Sequence, residues 1–485
     1  MIRVLLANVP WVEGGVRAGS RWPAKYSKDM AVTYSPFPFY MAYTAALLEK
    51  NTDCELLVLD CLAEKISHEE FYNRCKKFSP DLIVMETSTV SFDNDIEICK
   101  KLKDLTNAKI VLAGPHATVF YKGILLKYQF IDFIAVGEYE FIILDLVKIL
   151  ESGKNTKING LASRDNNSVI LEKRPLLNDL DKLPFPAWHL FQMEKYWSYA
   201  AKYPAFQMIS SRGCLFKCIF CVYPQTFDCG TYRFNSPERT INEIKFVIEN
   251  YEPRSIWFDD STFTMNQERV KKLCDLKTEN KIDIEWGCMT HTQVMTEELA
   301  KKMRKAGCIR ISFGIESGNQ TIVNRIGKGL NLEHTKKIFN ICKENGIRAD
   351  ATFMFGLPGE TKETIKRTMK FVKELNPSFA QFSIATPLPG TKFYEMANKN
   401  GWIIKDDFSL YDGNNCSVIS YPNLKAEEIE KAAKKAIKWW ALHRMSNLNE
   451  ILRITSIAYR QGGIGRLLSN GKRMLSFGVD YILNR

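Results

Sequence analysis

The sequence lacks the features of a membrane-spanning or secreted protein. It has no uninterrupted run of about 18 apolar residues, which a helix would need to cross a bilayer. The N-terminus, MIRVLLANVP, has one basic residue and a short apolar run that ends at a proline. This is typical of a buried first strand and not of a signal peptide. We therefore expect a cytoplasmic protein in a compartment where thiols stay reduced.

The sequence also lacks the cysteine pattern of a disulfide framework. Its 485 residues include 13 cysteines, an odd number, and most of them stand alone in periodic segments. We interpret these as small core residues; they are Cys54, Cys75, Cys99, Cys274 and Cys342. The length predicts two or three domains. With 45% hydrophobic and 25% charged residues, the composition is that of an ordinary globular protein.

Residues 1–150 alternate short apolar runs with helical patterns. Fully apolar strands separated by helices predict a doubly wound parallel sheet that is covered on both faces. Such sheets bind ligands at the carboxyl ends of their strands. The candidate ligand contacts are therefore the residues directly after the third, fourth and fifth strands, which are Thr87, Ser88, Thr89, Gly114, Pro115, His116, Gly137 and Glu138. Small and hydroxyl side chains there let a large ligand approach the backbone, although ordinary turn formation explains them equally.

The rest of the chain divides into three parts. Residues 151–205 are interpreted as a linker, since RPLLNDLDKLPFPAW carries three prolines and little periodicity. Residues 206–400 alternate six further predicted strands with helical runs. Six βα units are too few to close an eight-stranded barrel, so we expect a partial (β/α)6 barrel. Residues 401–485 are predicted to be basic and mainly helical.

SSRGCLFKCIFCVYP, which follows the first barrel strand, contains three closely spaced cysteines. Cys214, Cys218 and Cys221 form C-x3-C-x2-C. A closed structural zinc site needs four ligands, and Cys229 is the nearest candidate for the fourth. Three thiolates on a [4Fe–4S] cluster instead leave one iron open for another ligand.

Two basic residues flank this cysteine loop. Arg212 precedes the first cysteine and Lys217 precedes the second. Because a nearby positive charge favours the thiolate, we expect these residues to lower the pKa of the cysteines.

The barrel motifs resemble those of the radical S-adenosylmethionine (SAM) superfamily. Its C-x3-C-x2-C loop has an aromatic residue, here Phe220, before the last cysteine. Four later motifs are also similar: WFDDSTFT, FGIESG, FGLPGET and PLPGT. The preceding segment carries SPFPFYMAYTAALLE, LVLD, TSTVSFDND, AGPHA and VGEYE, and it resembles a Rossmann-like cobalamin-binding domain. Over residues 1–400 the chain therefore resembles the class B radical SAM methyltransferase-like proteins.

The resemblance implies a [4Fe–4S] cluster on the three cysteines of the loop, with SAM chelating its open iron. One electron, from a reduced flavodoxin- or ferredoxin-type donor, would cleave SAM and yield a 5′-deoxyadenosyl radical that abstracts a substrate hydrogen. By motif position the implied SAM contacts are Asp259 and Asp260 for the methionine amino group, Glu316 and Ser317 for the ribose, and Gly356 to Glu360 for the adenine. Lys328 is either a partner of the SAM carboxylate or a solvated surface lysine, and cap or surface roles stay open for the acids other than Glu316.

One motif departs from cobalamin domains of the methionine synthase type, whose D-x-H-x-x-G supplies a histidine ligand to cobalt. The corresponding stretch here is DCLAEK, Asp60 to Lys65, without that histidine or glycine. The resemblance therefore implies cobalamin bound base-off, unless the domain has lost its cofactor. The implied reaction is methyl transfer from methylcobalamin to carbon. Alternatives are a cyclisation, rearrangement or coupling without methyl transfer, and a non-catalytic cobalamin or Fe–S sensor.

The positive charge is concentrated near the C-terminus. Of the net charge of +12, residues 425–485 carry +7, from 12 Lys and Arg against 5 Asp and Glu. The segment is aromatic and amphipathic, as a helix lying on a membrane surface must be. That interpretation suggests peripheral membrane contact and a lipid-linked substrate rather than another small molecule. A helical cap across the open side of the barrel explains the pattern equally. Since no RNA-binding module accompanies the barrel, we expect no nucleic acid partner.

Overall fold

The fold is described from a computed structural model of the chain. The residues that the structure describes are 1–11, 15–17, 23–25, 34–153, 156–198 and 204–445. Within them lie two mainly parallel sheets, each covered by helices, and a C-terminal segment that packs on the second sheet.

The N-terminal sheet has seven strands in the order β7-β6-β5-β4-β3-β1-β2. Strands β1 to β5 are parallel, whereas β6 and β7 are antiparallel to their neighbours. The bounds are β1 Arg3–Asn8, β2 Glu55–Asp60, β3 Leu82–Glu86, β4 Lys109–Ala113, β5 Phe133–Ala135, β6 Leu161–Asp165 and β7 Ser168–Ile170. From β1 the chain adds β2 on one side, and then adds β3 on the other side of β1. Doubly wound sheets bind their ligands at such a switch point.

Helices α1 to α6 cover this sheet on both faces, as its apolar strands predict. Their bounds are α1 Phe39–Asn51, α2 Cys61–Glu64, α3 His68–Phe78, α4 Phe92–Leu105, α5 Pro115–Lys127 and α6 Glu140–Ser152. Ten consecutive residues of α1, Phe39 to Leu48, are buried. A helix that is apolar all round belongs in the interior, and α1 packs on the sheet and on α6.

The segment predicted as a linker supplies strands β6 and β7. They form a hairpin whose turn contains Asn166 at φ +53°. Asparagine tolerates this left-handed conformation better than most residues, so Asn166-Asn167 suits a tight turn. The two strands show no clear period because they have only five and three residues, half of them polar.

The second sheet is the predicted partial barrel. Its six parallel strands follow one another in chain order and do not close. Their bounds are β8 Ala205–Met208, β9 Ser255–Phe258, β10 Glu285–Thr290, β11 Cys308–Glu316, β12 Arg348–Phe355 and β13 Phe379–Ile384. The surrounding and following helices are α7 Val222–Thr226, α8 Pro237–Tyr251, α9 Gln267–Glu279, α10 Glu297–Lys305, α11 Gln320–Arg325, α12 Leu332–Glu344, α13 Lys362–Leu375, α14 Lys392–Lys399 and α15 Ala426–Met445.

Helix α15 covers the edge of the partial barrel, in contact with β13 and β12. Its buried residues follow helical spacing and form one face: Ala426, Ile429, Ala433, Ala436 and Trp440. This packing supports the cap interpretation of the apolar stripe over residues 426–440. Residues 446–485, where the basic tail continues, lie outside the described part of the chain. Among the described residues, no helix is long and apolar enough to cross a membrane.

Candidate functional site

The cysteine loop follows β8 and lies between the two strands of a short antiparallel pair. Strand Ser211–Gly213 pairs with Tyr232–Phe234. Gly213 has φ +89°, and a Cβ there would lie 2.1 Å from the carbonyl oxygen of Thr231. Only glycine fits this corner, which turns the chain into Cys214.

A glycine-rich loop after α11 supports the cysteine loop from one side. The N–H of Ile219 donates to the carbonyl of Ile326 at 3.0 Å. A Cβ on Gly327, whose φ is +67°, would lie 2.6 Å from the carbonyl oxygen of Lys217. Gly329 lies against the ring of Phe216. The two glycines of RIGKG therefore let the two backbones approach closely.

Gln225 supports the cysteine loop from the other side. Its Nε2 lies 3.3, 3.2 and 2.7 Å from the carbonyl oxygens of Cys218, Ile219 and Cys221. Its Oε1 accepts the N–H of Lys392 at 2.8 Å, which links the loop to the start of α14. Sequence reasoning missed Gln225, because no local pattern shows which carbonyls a side chain reaches.

His291 is a second contact that sequence reasoning missed. Its ring stacks on Phe216 with the centroids 3.8 Å apart. Nδ1 accepts the N–H of Gln293, so Nε2 carries the proton and donates to the carbonyl of Lys328 at 3.1 Å. Burial lowers the pKa of His291 to about 3, which keeps the ring neutral. A solitary histidine after a strand gives no signal of this stacking.

Glu316 and Lys328 form a buried ion pair at the mouth of the barrel. Nζ lies 2.8 Å from Oε1, and the side chains are 11% and 8% exposed for Lys328 and Glu316. Burial by itself lowers the pKa of Lys328. The Glu316 carboxylate has the opposite and larger effect, so the pKa of Lys328 lies above the ordinary value for lysine. Lys328 is therefore not a solvated surface lysine.

The expected effect of Arg212 and Lys217 on the thiols is wrong for Arg212. Its guanidinium is engaged by two glutamates, as described below. Burial raises the pKa of Cys218 to about 11 and that of Cys221 to about 12, and Lys328 is the positive charge that opposes it. Arg212 therefore does not favour the thiolate forms of these cysteines.

Asp259 and Asp260 follow β9 and are both buried. Asp260 accepts hydrogen bonds from the N–H and hydroxyl of Ser210 and from the hydroxyl of Ser211. It therefore fixes the chain that leads into the cysteine loop. Beyond them, the Oγ1 of Thr262 lies 3.2 Å from the Sγ of Cys214.

Two further motifs, FGIESG and FGLPGET, lie at the ends of β11 and β12. Ser317 is within 3.2 Å of the hydroxyl of Thr368 in α13, on the helical side of the sheet. Glu360 is fully buried, and its Oε2 accepts the N–H of Gly356 at 2.6 Å. Burial raises the pKa of Glu360 to about 8. The hydroxyl of Tyr421 donates to the carbonyl of Gly356, so the C-terminal region covers this turn.

The structure brings together most of the candidate contacts at the carboxyl edge of the N-terminal sheet. Gly114 has φ +104° and approaches the carbonyl of Thr87 so closely that a Cβ would lie 2.3 Å away. The hydroxyl of Thr89 lies 3.2 Å from Nδ1 of His116. Ser88 bonds Ser91, and Pro115 begins α5.

His116 is buried among aromatic rings at this edge. Phe92 and Phe120 lie 4.3 and 4.8 Å from its ring centre, and Phe408 of the C-terminal region lies at 5.2 Å. Burial lowers the pKa of His116 to about 3.

Glu138 is the candidate whose carboxylate does not face this edge. The N–H of Gly137 donates to the hydroxyl of Thr118 in α5. The Glu138 carboxylate instead bonds Arg233 at 2.7 and 3.0 Å and lies 3.4 Å from Arg212. The Glu138 side chain is thus part of the contact between the N-terminal domain and the barrel.

The donor sets fit the groups that the resemblance implies. The three cysteines lie on one loop that is held by its backbone, and all are free thiols. Within the described residues, no three His, Cys, Asp or Glu side chains converge on a single ion. A cluster places each thiolate on a different iron. At the other edge, Gly114 lies against the Thr87 backbone, and the small hydroxyl residues Ser88 and Thr89 follow Thr87 in the same loop.

Comparison with known proteins agrees with the interpretation of both the barrel and the N-terminal domain. Residues 208–372 match the radical SAM superfamily, and residues 31–146 match the B12 binding domain. The uncharacterized methyltransferase PH0819 of Pyrococcus horikoshii is 32% identical over 82% of this chain and 86% of its own. The anaerobic magnesium-protoporphyrin IX monomethyl ester cyclase of Rubrivivax gelatinosus is 26% identical over 82% of this chain and 70% of its own.

The solved structure of the cobalamin-dependent SAM radical enzyme OxsB, with aqua-cobalamin and SAM bound, shares the fold. It has a TM-score of 0.71 and 16% identity, and the match covers 98% of this chain and 72% of that one. Proteins with this pair of domains are enzymes that use a [4Fe–4S] cluster, SAM and cobalamin. They take electrons from a reductant and act on small substrates. The chain belongs to this family, the B12-binding, class B methyltransferase-like radical SAM proteins.

Proposed function

We propose that the chain transfers a methyl group from methylcobalamin to a carbon atom of a small substrate. When bound, the cluster and SAM supply a hydrogen-abstracting radical, and the corrinoid supplies the methyl group. The protein's own residues bind and orient these groups and keep water away from them.

The observation that carries the proposal is the contact between the barrel mouth and the carboxyl edge of the N-terminal sheet. A Cβ on Gly390 of PLPGT would lie 2.5 Å from Val119 of α5. The 3-10 turn Phe408–Leu410 packs on Thr89–Ser91. The two proposed cofactor regions therefore adjoin one interface, and this supports a group transfer between them.

We assign the cluster to Cys214, Cys218 and Cys221. For SAM we retain the residues at the barrel mouth, in particular Glu316 for the ribose and its buried partner Lys328, whose positive charge suits the SAM carboxylate. The other proposed SAM contacts are Asp259, Asp260, Ser317, Gly356 and Glu360. For cobalamin we propose the edge residues Thr87, Ser88, Thr89, Gly114, Pro115, His116, Gly137 and Glu138, with Glu138 contributing its backbone.

Two further parts of the proposal rest on the sequence. A flavodoxin- or ferredoxin-type protein is the proposed electron donor. A lipid-linked acceptor and peripheral membrane contact stay predictions, because residues 446–485 lie outside the described part of the chain. We take a small molecule as the acceptor.

The test begins with anaerobic purification from cells supplied with cobalamin, followed by quantitation of iron, sulfide and corrinoid. Full cluster and corrinoid loading, together with 5′-deoxyadenosine formation on reduction with SAM, supports the enzyme. A loaded cluster that forms no 5′-deoxyadenosine would leave only the sensor hypothesis.

Cyclisation without methyl transfer is the second candidate, because one relative is a cyclase. Product mass separates the two reactions, since methyl transfer adds one CH2 unit and ring closure does not. A loaded cluster without corrinoid would also favour cyclisation or coupling.

A further inference from the structure

We propose that Arg212 and Glu140 are positioning residues that fix the cysteine loop relative to the carboxyl edge of the N-terminal sheet. The inference rests on the proposed function, because a transfer between two cofactors needs their separation to be fixed. Both residues act through the segments that they hold, and neither is assigned a contact with a cofactor.

The side chain of Arg212 lies inside the N-terminal domain although its backbone belongs to the barrel. Nη2 lies 2.6 Å from Oε1 of Glu140, and Nη1 lies 3.4 Å from Oε1 of Glu138. The guanidinium also stacks over the rings of Tyr40 and Tyr43 in α1, at 4.7 and 5.2 Å. The arginine is 5% exposed. Its charge is thus satisfied by the other domain.

Arg233 strengthens this contact. It is the direct cross-strand partner of Arg212 in the hairpin, and two like charges placed opposite each other repel. Glu138 lies between them and bonds both, and Arg233 also reaches Asp228 at 3.4 Å. Removing one member of such a buried cluster leaves an uncompensated charge. The domains therefore separate or slide only at a high free-energy cost.

The ion cluster is joined to both proposed cofactor regions by short, stiff segments. On the barrel side only Gly213, which has no room for a Cβ, separates Arg212 from Cys214. On the other side Glu140 begins α6, just after β5. The neighbouring Tyr139 donates its hydroxyl to Glu86 at 2.9 Å, at the end of β3 and next to Thr87.

The test compares the full chain with Arg212→Met and with a matched control, Arg239→Met. Arg239 is also buried and also bonds a glutamate, Glu243, at 2.6 Å in the same helix. Its guanidinium also bonds the carbonyls of Leu183 and Pro184, which lie outside both measured segments. Amide hydrogen exchange is measured on each protein without cofactors at residues 136–140 and 211–214. On loaded protein, two reactions that need no third substrate are measured: 5′-deoxyadenosine formation, and methylation of the reduced corrinoid by SAM.

We expect Arg212→Met to raise exchange about tenfold in both segments and to reduce corrinoid methylation about tenfold or more. Its iron content and 5′-deoxyadenosine formation should stay within about twofold of those of the parent, because the barrel site is intact. Arg212→Lys should restore part of the lost corrinoid methylation. Arg239→Met should leave the exchange rates of both segments, and the ratio of the two reaction rates, unchanged.

Unchanged exchange in both segments, or an equal effect of Arg239→Met, would overturn the inference. If Arg212→Met does not fold, Glu140→Gln keeps the side-chain volume and removes one charge, and it should shift both readouts in the same direction. Failure of the proposed function is distinct, since the unaltered chain would then carry out neither reaction when loaded.

Discussion

The Nζ atom of Lys328 lies 2.8 Å from Oε1 of Glu316, which stands at a β-bulge at the end of β11. Glu316 has φ +68°, a strained conformation for a residue with a side chain. A Cβ on Gly314 would lie 2.6 Å from the Glu316 carboxylate and 2.7 Å from the lysine ammonium. The bulge, the positive φ and the glycine together fold the carboxylate back over its own strand. Strain of this kind is typical of a ligand-binding position.

Breaking this ion pair from one side should destabilise the protein. Lys328→Met leaves a buried carboxylate without a partner, and we expect the free energy of unfolding to fall by about 3 kcal/mol. The double variant Lys328→Met with Glu316→Gln should recover part of that loss, because no unpaired charge remains. Chemical denaturation of the cofactor-free chain measures both. Equal losses in the single and double variants would contradict the pairing.

Removing Cys218 should abolish iron binding, because two thiolates do not hold the cluster. Cys218→Ala is expected to have background iron and to form no 5′-deoxyadenosine. The control is Cys229→Ala, since Cys229 is exposed. That variant should keep its iron; loss of metal there would instead support a site with Cys229 as fourth ligand.

Gly327→Ala should disturb the cysteine loop by a steric clash. The control is Gly401→Ala, because Gly401 has a similar φ of +63° but no atom within 4 Å of a Cβ. We expect the control to lose about 1 kcal/mol from the left-handed conformation alone. Gly327→Ala should lose more stability, and also iron content, because the Cβ displaces the Lys217 backbone. Equal melting temperatures and iron contents in the two variants would contradict the close approach.

Gln225→Leu should weaken the cysteine loop by removing the amide that reaches three of its carbonyls. We expect a loss of about 1–3 kcal/mol in unfolding free energy and faster release of iron to a chelator. In Gln129→Leu, which removes an amide bonded to one exposed carbonyl, both quantities should be close to those of the parent. Iron release as slow as in the parent would show that Gln225 does not hold the loop.

Glu360 should make stability depend on pH. Burial raises its pKa from 4.5 to about 8 in the folded state, so the folded chain binds a proton that the unfolded chain has released. Its stabilising effect is complete below pH 4.5 and is lost as the pH rises to about 8. Glu360→Gln should remove this slope of about 1.4 kcal/mol per pH unit, in denaturation experiments across this range. Parallel pH curves for the variant and the parent would contradict the shift.

Much of the fold and of the site chemistry follows from local patterns. Apolar runs separated by helical periods indicated both parallel sheets, because strand and helix periods are imposed by backbone geometry. C-x3-C-x2-C limited the metal group to a zinc site or a [4Fe–4S] cluster, and the resemblance to radical SAM proteins favoured the cluster. Local patterns are weaker for the β6–β7 hairpin, whose strands are too short to show a period.

The pairing of distant charged and polar groups was decided by the tertiary structure. Arg212 looked like a neighbour of the thiols, yet it pairs with Glu140, 72 residues earlier in the chain. Gln225 and His291 carry no sequence signal, although both contact the cysteine loop. A sequence pattern reports which chemical groups are present and how the backbone is spaced. Which charges share one buried volume depends on how two domains pack, and only the folded chain determines that.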